Sequence, residues 1–116
     1  MWQDAIRLRR TGKRLVPSIK GIPYISLSVR NVRRSADWYR ALLQLQIVRE
    51  RLDETGCFGE VLLREPKCGL EIGLIGHREN PGEPFRESRT GLDHVEFGVQ
   101  SRADLDAWVT RLDQLR

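Results

Sequence analysis

The chain has 116 residues, of which 40% are hydrophobic and 31% charged, and these proportions are typical of one globular domain with a modest core. No apolar run is long enough to cross a bilayer, and the first residues lack the apolar stretch and cleavage site of a signal peptide. We therefore expect a cytoplasmic protein without a membrane partner. Two cysteines, Cys57 and Cys68, are too few for a disulfide scaffold or a thiolate zinc site, so we expect free thiols.

The net charge of +4 is unevenly distributed along the chain. Residues 1–21 carry six basic side chains and one acid, so the rest of the chain has a balance of −1. This basic N-terminal extension lacks the interleaved aromatic residues of a single-strand binder, and we expect no nucleic-acid partner. A second basic group, Arg30, Arg33 and Arg34, follows the first predicted strand and is either an anion site or solvated surface.

Five predicted elements fill residues 22–77. In IPYISLSVRNV, Ile25, Leu27 and Val29 alternate with polar residues, as in a half-buried strand. RSADWYRALLQL changes to a helical period after Ser35, the predicted N-cap. LQIVRER, CFGEVLLRE and LEIGLIGH predict three more strands, which the turns DETG and EPKCG separate. The order is β-α-β-β-β.

The rest of the chain predicts a polar linker, a strand and a helix. The linker, residues 78–91, contains two prolines and two glycines. LDHVEFGV alternates as a fifth strand, and Ser101 and Asp104 then form a helix-starting capping box. The apolar face of that helix comprises Leu105, Trp108, Val109 and Leu112. The predicted fold class is therefore α+β, with a βαβββ module over 22–77 and the strand and helix that open a second module over 92–115.

The two openings are similar in sequence pattern, which indicates an internal repeat. YISLSVRNVRRSADWYRALL and HVEFGVQSRADLDAWVTRL both run strand, short turn and helix, with a tryptophan in the helix. The ordered series ISLSV, RSADWYRALL, GLEIGL and TGLDHVEFGV resembles the vicinal oxygen chelate superfamily, which includes glyoxalase I, bleomycin- and fosfomycin-resistance proteins and extradiol dioxygenases. The resemblance covers a single domain, residues 22–116. It implies paired modules that curl around a cleft, where catalytic members bind a divalent metal as Lewis acid.

The resemblance also implies four metal-ligand positions, and this sequence fills one of them. The histidine of the second module matches His94, whereas that of the first module falls on Tyr24. A phenol with a pKa near 10 is a poor ligand for a divalent metal at neutral pH. The carboxylate of the fourth strand falls on Gly73. The last ligand would lie on a strand beyond the second predicted helix, so three of the four family positions are unfilled.

Strand alternation leaves a shifted metal site open. Glu71 and His77 have the same parity as Gly73, and His94 shares a strand face with Glu96. A divalent metal held by His94, Glu96 and Glu71, with His77 at the strand end as a further donor, is therefore a second hypothesis.

Three functions follow from this pattern. The first is a small-molecule-binding protein whose ligand lies on the concave sheet face among Tyr24, Ser26, Glu71, His94 and Glu96, with an incomplete metal site. The second is a metal-dependent lyase, isomerase or dioxygenase of the glyoxalase type, with a rearranged site or one completed by a second chain. The third is an inactive truncated relic, because the second module stops after its helix. The unpaired strand edges predict a homodimer or a swapped assembly.

Overall fold

The computed structural model describes residues 16–116, which form four strands and two helices. In chain order these are β1 (Tyr24–Ser28), α1 (Val32–Leu43), β2 (Gln46–Leu52), β3 (Gly59–Arg64), β4 (Glu71–Gly76) and α2 (Arg102–Gln114). The predicted α+β class and the βαβββ module are therefore confirmed. Most of the predicted basic extension, residues 1–15, lies outside the described residues.

The four strands form one sheet in the order β1-β4-β3-β2. β1 runs parallel to β4, and the other two pairs are antiparallel. The module's first and last strands are thus neighbours, and β1 and β2 are the two edges of the sheet.

One face of the sheet is covered by α1, and the core lies between them. Apolar residues alternate along the strands, so one set faces the helix while the other set faces away from it. The core comprises Val32, Ala36, Leu45, Val61, Leu63, Ile72 and Leu74, all at most 5% exposed. Gly76 in β4 allows the backbone at Cys57, just before β3, to approach closely, because a Cβ at position 76 would lie 2.1 Å from the carbonyl oxygen of Cys57.

Both ends of α1 differ from a simple sequence prediction. The N-cap is Asn31 and not Ser35, since the Asn31 side chain accepts a hydrogen bond from the backbone N–H of Arg34 at 3.0 Å. The helix therefore begins one turn earlier than predicted, and it buries Val32. Its C-cap is Gln44, which adopts the left-handed conformation (φ 53°, ψ 46°) that glycine usually adopts at a helix end.

The predicted fifth strand is wrong for this structure. Residues 92–99 contain no helix or strand, because a strand requires a hydrogen-bonded neighbour and none of the described strands pairs with this segment. The predicted apolar set of the strand is exposed, with Val95 at 39%, Phe97 at 45% and Val99 at 42%. Residues 78–91 form turns and irregular loop.

Helix α2 forms as predicted, with Ser101 as N-cap accepting from the N–H of Asp104 at 3.1 Å. None of its residues is buried, and Leu105, Val109 and Leu112 on its apolar face are 41–53% exposed. Its hydrogen bonds to the module come from Arg111, whose guanidinium donates to the carbonyls of Leu42, at 2.6 Å, and Ala41. Within residues 16–116, neither helix is long and apolar enough to cross a membrane.

Candidate functional site

The sheet face opposite α1 is open and carries the polar residues of the alternating strands. Directly paired residues in neighbouring strands lie on the same face. The register therefore builds a row across the sheet from Tyr24 through Glu71 and Arg64 to Gln46. A second row runs from Ser26 through Gly73 and Leu62 to Arg49, also by direct pairing. We call this surface the open face.

An ion pair between Glu71 and Arg64 occupies the first row. The Nε and Nη2 atoms of Arg64 donate to the same carboxylate oxygen, Oε1 of Glu71, at 3.1 and 2.7 Å. Among residues 16–116, the second oxygen, Oε2, accepts no hydrogen bond and stays available to a ligand. The pair neutralises the carboxylate while leaving one acceptor atom, which suits a hydroxyl or amine donor better than a metal ion.

The family's carboxylate position is occupied by a glycine with little room above it. A Cβ at Gly73 would lie 3.0 Å from Ser26 Oγ, which is tighter than ordinary van der Waals contact. Beside it, Tyr24 is 54% exposed at the sheet edge. The open face thus offers an aromatic ring, a hydroxyl and one carboxylate oxygen within two adjacent strands.

His94 and Glu96 lie together but outside the sheet. The His94 Nε2 atom is 3.4 Å from Glu96 Oε1, and its Nδ1 atom is 2.8 Å from Asp93 Oδ1. These side chains are 64–85% exposed. Both imidazole nitrogens therefore contact carboxylates of their own segment.

The described donors do not fit a metal ion. Residues 16–116 contain no group of three or more His, Cys, Asp or Glu side chains arranged to hold one. Of the predicted ligands, Glu71 is paired with Arg64, while His94 and Glu96 lie on the unpaired segment. His77 follows the end of β4 and is exposed.

Arg64 is the site residue that the sequence analysis missed. Its signal was present in the hairpin: Arg64 and Glu71 flank the EPKCG turn at paired positions, so opposite charges face each other across two strands. A second ion pair on the open face joins Arg49 Nε to Glu60 Oε1 at 3.0 Å. These two residues are diagonal neighbours on β2 and β3, since Arg49 pairs directly with Leu62.

Two carboxylates outside the site close the hairpin turns. The Thr55 hydroxyl, at 2.7 Å, together with the N–H groups of Phe58 and Gly56 and the Arg78 guanidinium, lowers the pKa of Asp53. Hydrogen bonds from Cys68 lower the pKa of Glu65 in the other turn. Both cysteines are unpaired, as expected. These groups stabilise the frame of the sheet and do not line the open face.

The fold and the open face define a class of protein in which a βαβββ module presents a polar sheet face beside the start of a second module. A profile of the Glyoxalase/Bleomycin resistance protein/Dioxygenase superfamily matches residues 21–116. The chain belongs to this superfamily. A search of curated proteins found no match.

Solved structures agree with this membership. A glyoxylase/bleomycin resistance protein/dioxygenase domain from Frankia sp. EAN1pec is 33% identical with a TM-score of 0.72, over 84% of this chain and 74% of that one. The fosfomycin resistance protein FosX from Listeria monocytogenes, in complex with Mn(II) and 1S,2S-dihydroxypropylphosphonic acid, is 18% identical with a TM-score of 0.59, over 84% and 73%. A possible glyoxalase from Bacillus cereus is 18% identical with a TM-score of 0.58, over 83% and 74%. The last two likenesses concern the fold alone.

Proposed function

We propose that the protein binds a small polar molecule on the open face, without a resident metal, as a binding or sequestering module. The observation that carries the proposal is the row of Tyr24, Glu71 and Arg64, in which the ion pair leaves one carboxylate oxygen free beside an exposed ring. A ligand hydroxyl donates to that oxygen, the Tyr24 ring covers the ligand's apolar side, and Ser26 supplies a second polar contact.

The ligand site, in this proposal, is completed by a second copy of the chain. β1 is an edge strand whose Ile25 and Leu27 alternate with Tyr24 and Ser26. The segment 94–99 has the same alternation, with His94 and Glu96 opposite the exposed apolar residues. Strand addition of this segment to the β1 edge of a partner covers its apolar side chains and brings His94 and Glu96 to the open face.

The dimer is tested by sedimentation velocity on the wild type and two lysine variants. We expect a mass of two chains for the wild type, and a monomer for Phe97→Lys because a charge is then buried in the pairing surface. Phe85→Lys is the matched control, since Phe85 is 72% exposed in the linker and outside the surface. A monomeric wild type, or equal effects of the two variants, contradicts this assembly.

Ligand binding is tested by NMR titration of the 15N-labelled protein with 1S,2S-dihydroxypropylphosphonic acid, a diol that carries the hydroxyl donors required here. We expect shifts of the amide signals in β1 and β4, and their loss in Glu71→Gln, which weakens the acceptor. Arg40→Gln, on the helix face, is the control. Shifts confined to residues outside β1, β3 and β4 would contradict the proposed site.

The alternative is a metal-dependent enzyme of the glyoxalase type, supported by the proximity of His94 and Glu96 and by the Mn(II) in the FosX complex. Metal analysis after dialysis against Mn(II) separates the two functions. We expect no stoichiometric metal. Stoichiometric Mn(II) that is lost in His94→Ala would overturn the metal-free proposal. An aggregated product without a cooperative thermal transition would instead support the inactive relic.

A further inference from the structure

A surface cavity of about 680 Å³ lies beside the N-terminal half of α1, on the side of the fold away from the open face. Its lining includes two guanidinium groups, Arg30 and Arg34, and two aromatic rings, Trp38 and Tyr39. The rings meet edge to face, with centroids 4.9 Å apart and planes at 84°. The cavity thus combines positive charge with an aromatic wall whose two rings pack against each other.

The charge in this cavity lacks local compensation. Among residues 16–116, no carboxylate lies within ion-pair distance of Arg30 or Arg34. The first turn of α1 contains no acidic residue, although the positive end of a helix dipole favours acids there. In α2, by contrast, Asp104 occupies the first turn. Arg30 and Arg34 therefore lie at the end of α1 where the helix dipole also favours a bound anion.

The backbone at the start of α1 is already satisfied, so any anion must be held by side chains. The N–H groups of Val32 and Arg33 donate to the carbonyls of Cys57 and Gly56 at 3.3 and 2.9 Å, and the N–H of Arg34 donates to Asn31. The Arg33 side chain lies against Gly56 and does not line the cavity. Arg30 and Arg34 are the cations that remain.

The aromatic wall is accessible as well. Trp38 is 48% exposed and borders the cavity. Burial raises the pKa of Tyr39, so its hydroxyl remains a neutral donor at physiological pH. Exposure of the apolar indole surface to water is unfavourable, and a flat ligand ring that stacks on the indole covers that surface.

We propose that this cavity is a second binding site, which takes a small molecule with a planar aromatic ring and an oxyanion. Arg30 and Arg34 bind the oxyanion, carboxylate or phosphate, and Trp38 stacks on the ring. The site is independent of the open face, because it uses α1 and the loop before it.

The test is isothermal titration calorimetry of the full chain with naphthyl phosphate and naphthoate, which distinguish the two oxyanions. Inorganic phosphate lacks the ring and naphthol lacks the charge, so we expect both to bind at least about tenfold more weakly than the better probe. Binding of the better probe should weaken as salt is raised, since the guanidinium groups are exposed to solvent.

Variants assign the site. We expect Arg30→Gln/Arg34→Gln and, separately, Trp38→Leu to weaken binding of the better probe by about tenfold each. Arg40→Gln removes one positive charge from α1 outside the cavity, and we expect no change beyond experimental error. Two results would overturn the proposal: wild-type protein that binds neither probe, or affinity that falls in Arg64→Gln on the open face but not in the cavity variants.

Discussion

Gln44 ends α1 in a conformation that costs an L-residue free energy, and Gln44→Gly should remove that cost. The residue has φ 53° and ψ 46°, within the left-handed region. A residue with a Cβ loses about 1–2 kcal/mol there, whereas glycine loses almost nothing. Glycine also gains backbone freedom in the unfolded chain, which lowers stability by about 0.4–1 kcal/mol. With central values of about 1.5 and 0.7 kcal/mol, the difference leaves a net stabilisation of about 0.8 kcal/mol.

Urea unfolding measures this difference directly. With a slope of about 2 kcal/mol per molar urea, the midpoint should rise by about 0.3–0.5 M in Gln44→Gly. Gln44→Ala is the control, because alanine keeps the Cβ and therefore the strain, and its midpoint should not rise. A lower midpoint for Gln44→Gly, or an equal rise for both variants, would refute the left-handed helix end.

Three further predictions concern packing, acid stability and the attachment of α2. Gly76→Ala should lower stability by about 1–3 kcal/mol, because its Cβ meets a backbone oxygen at 2.1 Å, while Gly98→Ala, with open space around it, should leave the urea midpoint unchanged. The pKa of Asp53 is lower in the folded chain than in the unfolded chain, so the ionised carboxylate stabilises the fold above the unfolded pKa. This stabilisation is lost as the pH falls through the folded pKa. Asp53→Asn should therefore flatten the decline in melting temperature below about pH 4. Arg111→Met should speed amide hydrogen exchange in α2 by about tenfold, since it removes the hydrogen bonds to the end of α1, and Arg102→Met should not.

The alternation of apolar residues determined the first module from sequence. β3 and β4 bury one face against α1, and such an alternating pattern is local and strong enough to predict a strand. The N-cap of α1 was wrongly predicted as Ser35, because Ser35 and Asn31 are both good N-cap residues. Asn31 is the N-cap because a helix that starts there buries Val32 in the core. The first N–H groups of that helix also donate to carbonyls of the β2–β3 turn.

Sequence alone thus determined the superfamily, the βαβββ order, helix α2 and the absence of usual ligands at Tyr24 and Gly73. Only the tertiary structure decided which polar groups meet. It left GLDHVEFGV without a strand partner, so that His94 and Glu96 are not part of the sheet that carries the Glu71–Arg64 pair. The physical reason is that alternation specifies a strand's two faces, whereas a strand forms only where a neighbour supplies its backbone hydrogen bonds.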